Sequence, residues 1–481
     1  MSAVPSIELL GLEFRVLPMR TRFPFKYGIA SMTELPHLFV SVSCLCDGRE
    51  TAGLASEGLP PKWFTKDPTT TFDQDLPAML EVIRHAADLA QAAGSCPSFF
   101  DFWKALYFSQ ADWAAERGLP PLLANLGVSL LERAVLDALC RGLGMPVAKV
   151  LRDGRLGIRL GEIRPELDGC EVADLLPPSP LDRIQVRHTV GLGDPLTAED
   201  ITEPLDDGLP LALDECIQRY GLRYFKVKVC GNADIDRARL AKIAEILGQE
   251  TGGDYRITLD GNEQFADIAS FAAEWKAWRA EPAIRPMLDR LIFVEQPLHR
   301  DRALEPAVGE ALKAWGSEAP PLVIDESEAT LESLPKALEL GYRGTSHKNC
   351  KGIVKGIANA CLLEHRRRRD GADLLLSGED LANVGPVALL QDLAMMASFG
   401  IGHVERNGHH YFKGLSMYPE ALQNQVLADH DDLYRQHPAG FPTLAIQDGG
   451  IHVRSVIESP FGFRRIPDLK AFPTLGEWCG T

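Results

Sequence analysis

Between Tyr224 and Lys348, five short apolar runs each end in a charged residue able to bind a metal or move a proton, and this alternation leaves the chain few folds to adopt. The runs end at Lys226 and Lys228 (Tyr-Phe-Lys-Val-Lys-Val), Asp260 and Asn262 (Ile-Thr-Leu-Asp-Gly-Asn), Glu295 (Leu-Ile-Phe-Val-Glu-Gln-Pro), Asp325 and Glu326 (Leu-Val-Ile-Asp-Glu), and Lys348 (Gly-Thr-Ser-His-Lys-Asn). Helical segments separate them. Strands alternating with helices imply a parallel sheet covered on both faces, whose ligands bind beyond the carboxyl ends of the strands. A charge just after an apolar run therefore stands at the functional end of a strand.

Strand-then-helix units continue on both sides of this stretch. Strands are expected near residues 184–190, 222–229, 255–260, 290–295, 322–325, 344–348, 373–377 and 401–405. Eight such units in about 220 residues match a closed barrel better than an open sheet. Ahead of them, Ile7 to Ser56 alternates in strand fashion, and Thr71 to Leu143 turns helical, with apolar residues three and four apart. Gly142, Gly144 and Pro146 stop the last of those helices. The expected layout is an α+β capping domain over residues 1–152, a linker or insertion at 153–182, a barrel at 183–437, and a segment at 438–481 that returns to the cap. Two cap stretches, 21–31 and 58–66, mix aromatics, charges and turn residues and are expected as loops over the site; Gly450-Ile-His-Val-Arg is a short run that could pack on the N-terminal sheet.

A net charge of −17 argues against a nucleic-acid partner, which needs a basic surface, and no apolar run is long enough to cross a bilayer. The one basic block, Arg366 to Arg369, reads as a solvated helix end. Ten cysteines show no zinc-finger spacing, and with no signal-like segment at the start the expected compartment is a reducing cytoplasm without disulfides. Two competing motifs fail. Gly191-Leu-Gly-Asp-Pro-Leu lacks the third glycine of a dinucleotide turn, and the loop starting at Asp260 has Phe271 where calcium binding needs a bidentate Glu.

Asp260, Glu295 and Asp325 end successive strands, so in a barrel they converge on one rim as a hard-oxygen set suited to Mg²⁺. Lys226 and Lys228 share a strand face, where two ammonium groups are expected to lower each other's pKa, and Lys348 lies across the barrel mouth. A carbon acid beside a carboxylate loses its proton to lysine only when the resulting enediolate is stabilised, which a metal on the carboxylate supplies.

The order Lys-x-Lys, Asp-x-Asn, Glu-Gln-Pro, Asp-Glu-Ser and Lys resembles the enolase superfamily, within it the mandelate racemase/muconate lactonizing enzyme family, and most nearly the muconate-lactonizing-enzyme subgroup. The resemblance implies a TIM-type (β/α)₇β barrel with an N-terminal α+β capping domain. It also implies Mg²⁺ on Asp260, Glu295 and Asp325, with Lys228 and Lys348 as the acid/base pair and Lys226 as an electrostatic helper. The implied activity is removal of a proton α to the carboxylate of a small acid, as in a racemase, epimerase or cycloisomerase. Acid-sugar dehydration is the alternative, and a non-catalytic barrel used for binding or assembly is a third reading. A homo-oligomer is expected. Asn262, Glu326, Glu379, Asp380, Glu405 and His409 are candidate substrate contacts, with His347, His409 and His410 as fallback bases. The chain departs from the family after Lys348, where Asn-Cys-Lys-Gly offers Lys351 and a single glycine instead of a Gly-Gly pair.

Overall fold

The computed structural model describes residues 3–480. In the cap, β1 (Ile7–Leu17), β4 (His37–Cys46), β5 (Arg49–Gly58) and β6 (Ser95–Cys96) form an antiparallel sheet in the order β5-β4-β1-β6. Strand alternation shows along β4, whose Leu38, Val40, Val42 and Cys44 are buried and whose Ser41, Ser43 and Leu45 are half-buried. Helices α1 (Phe72–Ala92), α2 (Phe99–Glu116) and α3 (Pro121–Leu143) cover the sheet. Nearly every residue of α3 from Leu122 to Cys140 is buried, because it packs on the sheet, on the other two helices and on the barrel. It ends at Gly144, whose φ of 62° is the left-handed cap conformation that glycine adopts without strain.

The expected loop 21–31 is a hairpin instead: β2 (Arg20–Tyr27) pairs antiparallel with β3 (Ala30–Glu34) around a turn at Gly28. The polar and aromatic mixture that read as loop is a strand whose Phe25 and Tyr27 face the barrel mouth, whose Pro24 and Lys26 are exposed, and whose Arg22 side chain is buried against Asp207.

Eight parallel strands make the barrel: β7 (Arg183–Val190), β8 (Tyr224–Lys228), β9 (Arg256–Asp260), β10 (Leu291–Glu295), β11 (Leu322–Ile324), β12 (Gly344–His347), β13 (Leu375–Gly378) and β14 (His403–Arg406). Pairing of β14 with β7, Glu405 opposite Arg187, closes it. A helix follows each of the first seven strands, whereas β14 leads first into the single turn Gly408–Tyr411 and only later into the helix Glu420–Asp429. The fold is a TIM-type (β/α)₇β barrel with an α+β cap. Residues 153–182 carry short helices at Leu160–Ile163 and Val172–Leu175, and Arg366 and Arg368 of the helix Ile353–Asp370 bond Glu166 and the Asp174 carbonyl there. The basic block is thus partly a tether. Gly450–His452 pairs antiparallel with β7 of the barrel, not with the cap sheet; contact with the cap comes further on, where Val16 N–H donates to the Pro473 carbonyl at 3.0 Å. Among the described residues, no helix is long and apolar enough to cross a membrane. All ten cysteines are free thiols.

Candidate active site

Register sets the height of the first charged groups. Lys228 pairs with Asp260 and Asp260 with Glu295, so the three stand side by side at the carboxyl ends of β8, β9 and β10. Asp325 follows the end of β11, and Lys348 follows β12, the sixth strand, opposite β8 across the barrel. Every one of these side chains is buried.

The ammonium groups lie among the carboxylates. Lys226 Nζ is 2.7 Å from Glu295 Oε2, 2.7 Å from Glu379 Oε2, 3.0 Å from Asp260 Oδ2 and 3.1 Å from Glu405 Oε2. Lys228 Nζ donates to Asp260 Oδ2 at 2.7 Å. Lys348 Nζ donates to Asp325 Oδ2 and stands 3.9 Å from Glu295 Oε1. The two lysines of the expected acid/base pair therefore flank the carboxylate row from opposite ends.

Burial lowers the pKa of Lys226, but its carboxylate partners outweigh it and hold the pKa well above the ordinary lysine value. This reverses the expectation that Lys226 would be depressed by its neighbour Lys228: four anions at contact distance exceed one cation on the same strand. Lys348 is raised too, since Asp325 and Glu295 overcome its burial. Asp325 is held well below the carboxylate range, against burial, by Lys348, Lys351 and Lys226. Asp260 is lowered, against burial, by Lys226 and Lys228. Glu295 moves the other way, raised by burial and by Glu379. Although Glu295 Oε2 is close to Lys226 Nζ, neither Glu295 oxygen accepts a well-directed hydrogen bond.

Two buried carboxylate oxygens without a donor, between two further carboxylates, make an all-oxygen set that fits a hard divalent cation. Asp260, Glu295 and Asp325 would hold it. One oxygen of Asp325 is already fixed from behind: Ser346 Oγ donates to Oδ1, and Lys351 Nζ lies 3.1 Å from the same atom. The sequence reading gave Lys351 no role, because its spacing from Lys348 gave no sign that it folds back beneath Asp325.

A cavity opens above these groups. Lys226, Lys228, Asp260, Asn262, Asp325, Glu326, Lys348, Asp380 and Glu405 line it, and Phe25, Tyr27, Met32, Pro60, Trp63, Leu381 and Ala382 form its apolar wall. The Trp63 ring lies 5.0 Å from Lys348 Nζ, a cation–π contact. Hairpin β2–β3 and the 58–66 loop thus border the same cavity as Lys228. Glu326 faces it with Oε2 unpartnered, and burial and Asp325 raise its pKa to about 7.

Not every candidate contact is placed there. Glu379 does not face the cavity: Arg187, Ser377 and Lys226 consume its carboxylate below the floor, and coulombic attraction to Arg187 and Lys226 overcomes burial to lower its pKa. Asp380 borders the cavity but spends its oxygens on the backbone N–H groups of Asn383 and Asn407, at 2.9 and 3.1 Å. His409 is outside the barrel wall, its Nε2 3.2 Å from His188 Nδ1, and does not line this cavity. His347 and His410 do not line the cavity either: His347 Nε2 is 3.0 Å from Asn349 Oδ1 and His410 Nδ1 3.7 Å from Cys216 Sγ. Arg187 was missed because a strand-interior arginine gives no sign of pointing inward.

No family sequence model and no curated protein matches the chain. Solved structures do. A mandelate racemase/muconate lactonizing protein from Herpetosiphon aurantiacus is 16% identical over 96% of this chain and 99% of its own, with a TM-score of 0.58. A muconate lactonizing enzyme from Pseudomonas fluorescens, complexed with muconolactone, is 17% identical over 98% of each chain, with a TM-score of 0.57. An enolase from Bradyrhizobium, complexed with magnesium and mandelic acid, is 14% identical over 99% of this chain and 98% of its own, with a TM-score of 0.56. Along nearly its whole length, therefore, the chain has the fold of the mandelate racemase/muconate lactonizing enzymes of the enolase superfamily.

Proposed function

We propose that the protein catalyses Mg²⁺-dependent removal of a proton from the carbon α to a carboxylate, with the proton returned or the carbanion carried on to an isomerised product. The observation that carries this reading is the placement of Lys228 and Lys348, on opposite strands of the barrel, at the two ends of one carboxylate row and on the wall of one cavity. When bound to Asp260, Glu295 and Asp325, the cation supplies Lewis-acid stabilisation of negative charge on the substrate's carboxylate oxygens and relieves the lysines of part of their anionic surroundings.

The chain's own groups do the rest. Lys228 Nζ and Lys348 Nζ address the two faces of a planar carbon held between them, one removing the proton and the other able to deliver one. Lys226 stays charged and offsets the floor carboxylates. Trp63 and Phe25 exclude water and favour an acid whose far end is apolar.

The test is solvent-deuterium exchange across a panel of carboxylic acids carrying apolar substituents, with and without chelator. For an epimerising reaction, Lys228→Ala abolishes exchange from one enantiomer and Lys348→Ala from the other, each by about 10²–10⁴-fold. Loss of a hydroxyl in place of exchange would move the assignment to dehydration. Absence of both exchange and metal binding would leave a binding barrel.

A further inference from the structure

Outside the cavity, on the other side of the barrel wall, a second set of ligating side chains converges. Along β7, Arg187 and Thr189 turn inward, where Arg187 bonds Glu379 and Thr189 Oγ1 donates to Glu405 at 2.6 Å, so strand alternation sends His188 outward. There it meets Cys216, on the helix Leu213–Tyr220, and His410, in the turn Gly408–Tyr411 that follows β14. One nitrogen of each imidazole and the Cys216 Sγ lie within 4.8 Å of one another, all three residues being buried. Cys216 Sγ and His410 Nδ1 are 3.7 Å apart. Ligands at zinc's usual bond lengths, set at tetrahedral angles, are separated by about 3.5 Å, so closing this set on an ion needs side-chain shifts of about 1 Å.

The remaining ring positions also have partners. His188 Nδ1 is 3.2 Å from His409 Nε2, and His410 Nε2 is 3.8 Å from Asp194 Oδ2. Asp194 is itself held by the Tyr411 hydroxyl at 2.6 Å and the Gly191 N–H at 2.7 Å, with Oδ1 left unpartnered. A ligating histidine characteristically gives its other N–H to a neighbouring acceptor, which fixes tautomer and orientation; His409 Nε2 is within that reach of His188, and Asp194 stands just beyond it from His410.

We propose that His188, Cys216 and His410 form a binding site for one zinc-class ion, separate from the carboxylate site, which clasps the seam where the eighth barrel strand closes on the first. A thiolate with two imidazoles selects a borderline-soft ion over Mg²⁺, just as the carboxylate row selects the reverse. Binding forms one metal–sulfur and two metal–nitrogen bonds, and the thiol proton leaves to solvent. The clasp also steadies the cap: Arg22 of β2 donates to the His410 carbonyl at 2.6 Å, and the Phe23 ring meets the His410 ring edge-on at 4.9 Å.

Full-length protein purified from zinc-supplemented cells and dialysed against excess Mg²⁺ is assayed for metal by mass spectrometry, and protein from cobalt-supplemented cells by absorption. The expected result is one zinc retained per chain and a thiolate-to-cobalt charge-transfer band in the near ultraviolet. Cys216→Ser loses both, Cys361→Ala at another buried thiol keeps both, and His409→Ala weakens retention about 10- to 100-fold. Should Cys216→Ser fail to fold, the cobalt spectrum of the parent protein decides alone. Parent protein without the thiolate band, or zinc retained equally by folded Cys216→Ser, overturns the site.

Discussion

The three carboxylates that end β9, β10 and follow β11 carry equal formal charge but unequal surroundings, and single substitutions should expose this. Asp325 is the nearest carboxylate to Lys348 and is shared with Lys351; the next acidic partners of these two lysines, Glu295 and Glu328, stand 3.9 and 3.7 Å away, so Asp325→Asn leaves two buried ammonium groups without a close anion. Removing one partner of a buried pair costs about 3–5 kcal/mol. Glu295→Gln should cost far less, because Lys226 keeps Asp260, Glu379 and Glu405 within 3.1 Å and a repelled carboxylate is removed. Urea unfolding in the presence of chelator is expected to rank Asp325→Asn well below Glu295→Gln. Titration calorimetry is expected to show Mg²⁺ affinity lost in both, and unchanged affinity in Asp260→Asn, Glu295→Gln and Asp325→Asn together would refute the metal assignment.

At the scale of elements, close backbone approach holds the cap together, and an ionic latch fastens one of its loops to the barrel. A Cβ on Gly53 of β5 would stand 2.1 Å from the Ala134 carbonyl of α3, and one on Gly127 of α3 would stand 2.3 Å from the Val82 carbonyl of α1. Neither backbone can give way, so Gly53→Ala and Gly127→Ala should each destabilise by about 1–3 kcal/mol or more in denaturant titration. The 58–66 loop is fastened from the barrel side. Glu263, just past β9, binds Lys66 at 2.8 Å and receives Arg300 Nη2 at 2.8 Å, while Arg300 Nη1 also donates to the Trp63 carbonyl at 2.9 Å. Glu263→Gln should release the loop that carries Trp63, raising KM for the exchanging acid more than it lowers kcat. An unchanged KM would show that the latch does not position the cavity wall.

For the whole molecule, the joint between cap and barrel contains a titrating group away from the site. Glu132 of α3 accepts the backbone N–H groups of Ile353 and Val354 at the start of the helix Ile353–Asp370. Burial outweighs those hydrogen bonds and raises its pKa from 4.5 to about 7. Between those values the folded state holds a proton that the unfolded state has lost, so this contribution to stability is full at low pH and falls as pH rises through 7. Across that window it amounts to on the order of 3 kcal/mol. Glu132→Gln, which stays neutral and can still accept from Ile353, should therefore gain on the parent protein between pH 5 and pH 8; a constant difference in unfolding free energy across that range would rule the effect out.

The barrel and the charged strand ends were legible in the sequence because both are local: apolar runs of strand length, helical spacing between them, and a carboxylate or lysine at the next position. Asp260, Glu295, Asp325, Lys228 and Lys348 needed only the rule that strand ends share a rim. The direction of a side chain within a closed barrel, and its partners across the chain, are decided by tertiary structure. Arg187 points inward to Glu379, 192 positions away, and Lys351 folds beneath Asp325. Glu379 and His409, which looked equivalent to Glu405 as residues following strands, are respectively consumed by an arginine and displaced outside the wall. Hairpin β2–β3 read as loop because its pattern answers to two surroundings, the barrel mouth and solvent, that exist only once the cap has docked. Charge pairing over such separations depends on register, closure and burial, and none of these is a property of any one stretch of residues.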